Sequence, residues 1–263
     1  MNFDNHTFAI CAYKESRYLE ECTNSVLNQK EKSKVIICTA TPNEYISNLA
    51  NKYNIKLFVR DGKPGIQEDW NFAYSCADTK YVTITHQDDI YCEEYGKKIH
   101  EYINENKKQI ILFSDYREIK NGEVIPLTVN LKIKKVMLFP LRASIFRGSK
   151  VIRRMILSLG SPICCPAVTY NKEINGDKVF TSEMKCSLDW DTWYKLSKKE
   201  GQFVFIKDEL VYHRIHEESE TTNSIENNVR QQEDYTMFKK FWPGFIAKFL
   251  SKMYNKSLDT NNV

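Results

Sequence analysis

Several features that define whole classes of protein are missing from this sequence. No apolar run approaches the length of a membrane-spanning helix. The first ten residues, MNFDNHTFAI, lack the basic segment and long apolar core of a signal peptide, so we expect a cytoplasmic protein. The eight cysteines include no CxxC pair, which in such a protein favours reduced and mostly buried thiols.

Glycine-rich phosphate-binding motifs are also missing. No GxGxxG follows any predicted strand, which disfavours an NAD-dependent dehydrogenase. A sugar nucleotidyltransferase normally carries a glycine-rich, basic segment after its first strand, and AYKESRYLEE at residues 12–21 contains no glycine. The sequence shows no internal repeat and no low-complexity tract.

The charge is modest overall but unevenly distributed. The net charge of +4 does not by itself indicate nucleic acid, so we expect no nucleic-acid partner. Acidic residues are absent between Glu123 and Glu173, and this segment should therefore create a positive local field. Its basic residues are Lys132, Lys134, Lys135, Arg142, Arg147, Lys150, Arg153, Arg154 and Lys172.

Short apolar runs alternate with helical patterns over the first 117 residues. Continuous apolar strands separated by helices predict an α/β fold, with a mostly parallel sheet covered on both faces. The predicted strands are FAICAY, VIICTA, IKLFV, YVTIT and QIILFSDY, at residues 8–13, 35–40, 55–59, 81–85 and 109–116. The predicted helices begin near residue 16, cover 45–53 and 67–77, and follow residue 91.

After residue 117 the alternation stops, and a smaller mixed region is predicted. The NGEV segment at residues 121–124 indicates a hairpin. A helix begins near Ser187, and FVFI (203–206) and LVYHRIH (210–216) are predicted strands. A polar stretch and a basic amphipathic tail complete the pattern.

Polar clusters follow three of the predicted strands, at the sheet edge where ligands bind in such folds. They are Tyr13-Lys14-Glu15, Thr39-Ala40-Thr41 and THQDD at residues 85–89. Within the last cluster, Asp88 and Asp89 would repel each other by about 4 kcal/mol at a protein surface. We therefore expect either a cation beside them or a solvated turn in which Asp89 caps the next helix.

Four segments, in matching order, resemble the family 2 glycosyltransferases of the GT-A fold. AYKESRYLEECTNSVLNQ (12–29) resembles the opening of that family, and ADTKYVTITHQDD (77–89) resembles the stretch that ends in its DxD-type metal motif. SLDWDTWYKL (187–196) and YHRIHEESET (212–221) resemble its base-bearing helix and closing strand. The resemblance runs from about residue 7 to about residue 222.

The resemblance implies one GT-A domain, a Rossmann-like sheet flanked by helices, in two halves. Residues 1–117 are the nucleotide-sugar-binding half, and residues 118–225 are the acceptor-side half. Residues 226–263 are a C-terminal amphipathic helical tail. The implied reaction is inverting, metal-dependent sugar transfer from a nucleoside-diphosphate sugar to a saccharide or polyprenyl-diphosphate-linked acceptor, in surface polysaccharide synthesis.

The family pattern also assigns the donor side of the site. It makes Asp89 a ligand of Mg²⁺ or Mn²⁺, which stabilises the departing diphosphate, and Asp88 the ribose contact. The pattern of a histidine after the closing strand favours His216 as a further metal ligand. Alternation puts His213 on the opposite strand face, so both histidines reach the metal only if the strand ends between them. The remaining nucleotide-sugar contacts are Ala12, Tyr13, Glu15, Thr41 and Asp69.

An inverting transfer needs a base on the acceptor side, and two aspartates compete for that role. Asp191 shares a helix face with Lys195, a solvated salt-bridge pattern. Asp189 shares the apolar face with Trp193, where an unused carboxylate is costly. We therefore predict Asp189 as the base and Asp191 as a surface residue; the alternative is that both are first-turn acids that complement the helix dipole.

Some residues depart from the family pattern. The metal motif reads Gln87-Asp88-Asp89 rather than three acids, and Cys11-Ala12-Tyr13-Lys14 replaces the usual Pro-x-Tyr-Asn. These departures leave the donor base and sugar open. A UDP-sugar is the expectation, with a dTDP-sugar as the alternative.

The acceptor and the tail allow more than one interpretation. The acid-free segment suits a phosphate-bearing lipid acceptor, or it is a solvated helix face. The tail at residues 236–256 repeats apolar pairs among lysines and is split by Pro243-Gly244. It lies on the inner face of the cell membrane, packs on the protein body, or contacts a second subunit in a homodimer. A sugar nucleotidyltransferase and a non-catalytic homologue that binds lipid or a partner remain as alternatives.

Overall fold

A mixed sheet of nine strands forms the centre of the described protein. The structure is a computed structural model that describes residues 2–105, 108–216 and 229–259. The strands are β1 (Asn2–Ala12), β2 (Lys32–Thr39), β3 (Lys56–Val59), β4 (Tyr81–His86), β5 (Ile90–Tyr91), β6 (Gln109–Lys120), β7 (Glu123–Val124), β8 (Val168–Asn171) and β9 (Gln202–Ile215).

Helices cover both faces of this sheet. They are α1 (Leu19–Leu27), α2 (Glu44–Lys52), α3 (Ile66–Cys76), α4 (Tyr95–Ile103), α5 (Val129–Leu138), α6 (Lys150–Leu157), α7 (Lys172–Asn175), α8 (Leu188–Leu196), α9 (Val229–Lys239) and α10 (Gly244–Asp259). Short 3-10 turns lie at Phe139–Arg142, Ser144–Phe146 and Cys165–Ala167.

The strand order is β3-β2-β1-β4-β8-β6-β9-β5, with β7 beside β6. The first four strands in this order pair in parallel, as the alternating pattern predicts. Strand β8 then runs antiparallel to both of its neighbours, while β9 runs parallel to β6. The predicted α/β class is therefore confirmed, and the region after residue 117 makes the sheet mixed.

Strand β9 corrects one boundary in the sequence analysis. The two strands predicted at residues 203–206 and 210–216 are one long strand, Gln202–Ile215. Its pairing with β6 shifts register between Ile206 and Glu209. The charged residues Lys207 and Asp208, which suggest a break in the sequence, lie at this irregularity, where a strand bends without ending.

The hairpin predicted at the NGEV segment is present. Asn121 and Gly122 both have positive φ, at 54° and 85°, and they connect β6 to β7. A two-residue turn of this kind needs left-handed backbone at both positions, which asparagine and glycine tolerate best.

Two buried clusters lie on opposite sides of the sheet. Alternate residues of β1 point to different clusters, with Phe8 and Ile10 in one and Ala9 in the other. The first cluster includes α1, α2 and α4, and the second includes α3, α6, α8 and the tail. A sheet buried on both faces explains why its strands have continuous apolar runs.

The tail packs on the body through its inner face. The ring of Trp190 in α8 lies 5.0 Å from that of Phe238 and 5.8 Å from that of Tyr254. The break predicted at Pro243-Gly244 separates α9 from α10. Within the described residues, no helix has both the length and the apolar character needed to cross a bilayer.

The core role of the tail can be tested with two phenylalanines. We expect Phe238→Ala to lower the free energy of unfolding by about 3–5 kcal/mol, because this ring is fully buried. Phe249→Ala is the matched control, since that ring is 63% exposed and its loss should cost less than about 0.5 kcal/mol. Urea unfolding measures both, and equal small losses would contradict the packing described.

Candidate active site

The three polar clusters predicted at the strand ends lie together in the structure. The Gln87 side chain accepts from the backbone N–H of Tyr13 at 2.8 Å and donates to its carbonyl at 3.1 Å. The Thr41 hydroxyl accepts from the backbone N–H of Lys14 at 2.6 Å. These bonds join the ends of β1, β2 and β4 into one edge.

Asp89 is the buried centre of this edge. Its side chain is fully buried, and its Oδ1 accepts from the Arg214 backbone N–H at 2.9 Å and from His213 Nδ1 at 3.0 Å. Burial alone would lower the pKa of His213, but the charge and hydrogen bond of Asp89 outweigh it and raise that pKa to about 9. A protonated His213 therefore balances the buried Asp89 carboxylate at neutral pH.

Asp88 has a histidine partner of its own. His216 Nε2 lies 2.8 Å from Asp88 Oδ2, and the Arg214 guanidinium donates to the Asp88 carbonyl at 2.8 Å. Burial raises the pKa of Asp88, but His216 and the neighbouring histidines outweigh it and hold that pKa below its usual value. Because side chains alternate along a strand, both histidines can face one site only if the strand ends between His213 and His216. Strand β9 does end there, at Ile215, and His213 contacts Asp89 while His216 contacts Asp88.

The donor set around Asp89 fits a divalent cation. Within the described residues, Asp89 Oδ2 is buried without a hydrogen-bond partner. One ligand atom each from His86, Asp88 and Asp89 lies within 4.8 Å of the others. Carboxylate oxygens suit Mg²⁺ and Mn²⁺, and a cation would satisfy the orphaned oxygen.

His86 was missed by the sequence analysis. Its ring stacks on that of Trp70, with centroids 4.8 Å apart, and its Nδ1 lies 4.0 Å from Asp89 Oδ2. Burial lowers its pKa in spite of the two adjacent carboxylates, which favours a neutral ring with a lone pair to offer. The signal was its position at the end of β4, beside the acid pair.

The other predicted donor residues border the edge in different ways. Ala12 is buried at the end of β1, Tyr13 and Glu15 are exposed beyond it, and Thr41 is partly buried. Asp69 differs, because both its oxygens are occupied within the chain: Oδ1 by the Arg60 guanidinium at 2.6 and 3.0 Å, and Oδ2 by the Gly65 N–H at 3.1 Å. Those bonds order the loop before α3, and donor contact by Asp69 stays a prediction.

Asp189 lies in the first turn of α8 and is partly buried. Its oxygens accept from the Trp190 N–H at 2.6 Å and from the Ser161 hydroxyl at 3.3 Å. Burial raises the pKa of Asp189 above its usual value. The Asp189 charge is one of the influences that oppose the lowering of the His86 pKa. The role of Asp189 as the base stays a prediction.

The prediction that Asp191 is a surface residue is wrong. The residue is 2% exposed, and its carboxylate is held by the Ser182 hydroxyl and by the ammonium groups of Lys195 and Lys240. The helical spacing correctly indicates the Lys195 pair. It cannot show that Lys240 of α9 covers this face, since that contact joins residues far apart in the chain.

The tail also holds the start of α8. The Glu233 carboxylate accepts from the backbone N–H groups of Lys185, Cys186 and Ser187 at 2.8, 2.8 and 2.9 Å. These N–H groups precede the first turn, where a negative charge is favourable. Glu233 thus positions the helix that carries Asp189. No local sequence signal indicates it, because the two elements are nearly fifty residues apart.

Comparison with known proteins assigns the chain to a family. A sequence profile of glycosyl transferase family 2 matches residues 7–169, more than half of the chain. The chain belongs to glycosyl transferase family 2. It is therefore a glycosyltransferase, and membership favours that activity over a sugar nucleotidyltransferase. A search of curated proteins finds no match.

Solved structures share the fold of this glycosyltransferase. Residues 1–349 of S. aureus TarS align with a TM-score of 0.62 and 15% identity, over 94% of this chain and 69% of that chain. TarS with UDP-GlcNAc gives 0.62 and 17%, over 94% and 70%. The mannosyltransferase PcManGT from Pyrobaculum calidifontis, with GDP-Man and Mn²⁺, gives 0.62 and 12%, over 97% and 73%. These likenesses show the GT-A fold.

The cap on α8 is open to a direct test. Glu233→Ala should lower the free energy of unfolding by about 2 kcal/mol, because three N–H groups lose a charged acceptor. Gln231→Ala, at an exposed position of the same helix, is the control and should change stability by less than about 0.5 kcal/mol. Thermal and urea unfolding measure the difference; a neutral Glu233→Ala would show that the cap does not stabilise α8.

Proposed function

We propose that this glycosyltransferase transfers a sugar, with inversion, from a nucleoside-diphosphate sugar to a saccharide or polyprenyl-diphosphate-linked acceptor in surface polysaccharide synthesis. The observation that carries the metal-dependent part is the orphaned Oδ2 of Asp89 beside His86 and Asp88. Two fold neighbours are complexes with nucleotide sugars, TarS with UDP-GlcNAc and PcManGT with GDP-Man and Mn²⁺, which supports a nucleotide-sugar donor. A UDP-sugar is the proposed donor.

On the donor side, the acid pair and its histidines prepare a cation site. Asp89, Asp88 and His86 would hold Mg²⁺ or Mn²⁺. His216, whose ring contacts the Asp88 carboxylate, is proposed as a further ligand. Such a cation, when bound, neutralises the charge that grows on the leaving diphosphate. His213 and the Arg214 backbone fix Asp89 in one orientation, which reduces the reorganisation needed on binding.

The nucleoside would lie along the joined strand ends. Ala12 ends β1, Tyr13 and Glu15 follow it, and Thr41 follows β2, so together they border the edge next to Asp88. The exposed Tyr13 ring offers a stacking surface for a base, and Glu15 and Asp88 offer acceptors to sugar hydroxyls.

On the acceptor side, Asp189 acts as the general base. Its ionised carboxylate takes the proton of the acceptor hydroxyl as that oxygen attacks the sugar carbon, while the electrons of the breaking bond leave with the diphosphate. A raised pKa makes the carboxylate a better proton acceptor than an exposed aspartate. Ser161 and the Trp190 N–H hold its orientation.

The cation site is tested with Asp89→Asn. The amide keeps an acceptor for the Arg214 N–H but loses the charge, so we expect Mn²⁺-dependent donor hydrolysis to fall about 100-fold or more. Mn²⁺ binding, followed by electron paramagnetic resonance with UDP present, should weaken in parallel. Asp78→Asn, an exposed residue before β4, is the control. Unchanged Mn²⁺ binding in Asp89→Asn would refute the role.

The base is tested with Asp189→Asn. Transfer should fall about 10²–10⁴-fold while UDP binding is retained. The wild-type rate should rise with pH through the raised pKa of Asp189, since only the ionised form accepts a proton.

Stability distinguishes this role from a structural one. The pKa of Asp189 is higher in the folded state than in the unfolded state. At pH values between these two pKa values the folded state therefore binds more protons, and the stability of the wild type falls as the pH rises through that range. Asp189→Asn should therefore be more stable than the wild type at neutral pH, with no gain below the unfolded pKa. A variant that loses stability as well as activity at neutral pH would indicate a structural role.

A further inference from the structure

Exposed apolar side chains are concentrated on one part of the molecule. Among the residues whose side chains the structure describes, sixteen large hydrophobic ones are exposed. Twelve of them lie on α5, on the 3-10 turns after it, on and just after α6, and on α10. Three helical stripes account for nine of them. The stripes are Val129, Ile133 and Val136; Val151, Met155 and Leu159; and Phe245, Phe249 and Met253.

The three stripes meet in one groove. Ile133, Leu159 and Met253, one member of each stripe, line the same cavity of about 190 Å³. Leu250 and Tyr254 of α10 form another part of its wall. The stripes therefore belong to a single surface, which we call the apolar face. Monomeric proteins seldom expose so many large apolar side chains together unless something binds there.

The two chain segments that form the apolar face carry basic residues and no acidic ones. No acidic residue occurs between Glu123 and Glu173, or between Asp234 and Asp259, and these two segments contain the whole face. Exposed basic side chains lie within the face on α5, on the first 3-10 turn and on α10. They are Lys132, Arg142, Lys248 and Lys252.

We propose that the apolar face docks on an anionic lipid bilayer. Apolar side chains at this density enter the acyl boundary, and the surrounding lysines and arginine pair with anionic headgroups. A second copy of the chain suits the face less well, because a self-paired interface would place like charges against each other. The outer side of α10 thus has a role separate from its inner side, which packs on the body.

Docking in this orientation places the acceptor side at the membrane. Ser161 lines the groove and also donates to the Asp189 carboxylate. A lipid-linked acceptor held in the bilayer would therefore meet the proposed base without leaving the membrane surface. This consequence rests on the proposed function, whereas the docking itself does not.

Vesicle flotation tests the docking. The full chain should float with vesicles of equal parts phosphatidylcholine and phosphatidylglycerol and remain unbound with phosphatidylcholine alone. Lys248→Gln with Lys252→Gln should weaken binding about 30-fold at low salt. Phe245→Ser with Phe249→Ser should weaken it about 10-fold or more, and these exposed positions should tolerate the change.

Matched controls lie elsewhere on the surface. Val59→Ser with Val124→Ser removes exposed apolar groups outside the face, and Lys97→Gln with Lys207→Gln removes two exposed charges. These variants should bind as the wild type does. Equal loss in the controls, or equal flotation with both vesicle types, would overturn the proposal.

Two further measurements separate the outcomes. Light scattering should show a monomer at the concentrations used. If the wild type is instead a dimer, and the double variant Phe245→Ser with Phe249→Ser is a monomer, the face binds a second copy and the proposal is overturned. Donor hydrolysis in solution should be unchanged in the face variants. Failure of the docking and failure of the proposed reaction are thus seen in different assays.

Discussion

The buried carboxylate of Asp89 is the interaction on which the site depends. It joins the end of β4 to β9, two strands more than a hundred residues apart, through one backbone N–H and one imidazole. A buried charge left unpaired would cost several kcal/mol, so the bonds from His213 and Arg214 stabilise the folded chain. The same bonds occupy one oxygen and leave the other directed at His86 and Asp88. The bonds that stabilise the fold and the proposed cation site therefore use different oxygens of one side chain.

Local patterns predicted much of this structure. Continuous apolar strands and intervening helices indicate the parallel half of the sheet, and the Asn121-Gly122 turn indicates its hairpin. The same patterns place the acid pair at a strand end. They did not reveal that residues 202–215 form one strand, because a bulge of charged residues resembles a break.

Contacts between distant segments explain what the sequence did not show. His86 belongs to no sequence motif. Its place in the site depends on Trp70, which stacks on its ring, and on β9, which lies beside the acid pair. Asp191 has the spacing of a surface ion pair, yet Lys240 of the tail covers it. Glu233 caps α8 from a helix nearly fifty residues away. In each case the local sequence pattern predicts the helix or strand correctly but does not predict which distant segment packs against it.

Gln87 stands where the family often has a third acid, and the structure gives the substitution a purpose. One amide both accepts from the Tyr13 N–H and donates to the Tyr13 carbonyl. A carboxylate has no hydrogen to offer that carbonyl, so it would hold the two strands by one bond instead of two. The amide also reduces the local negative charge by one. The chain thus fastens the ends of β1 and β4 to each other without adding a third negative charge beside Asp88 and Asp89.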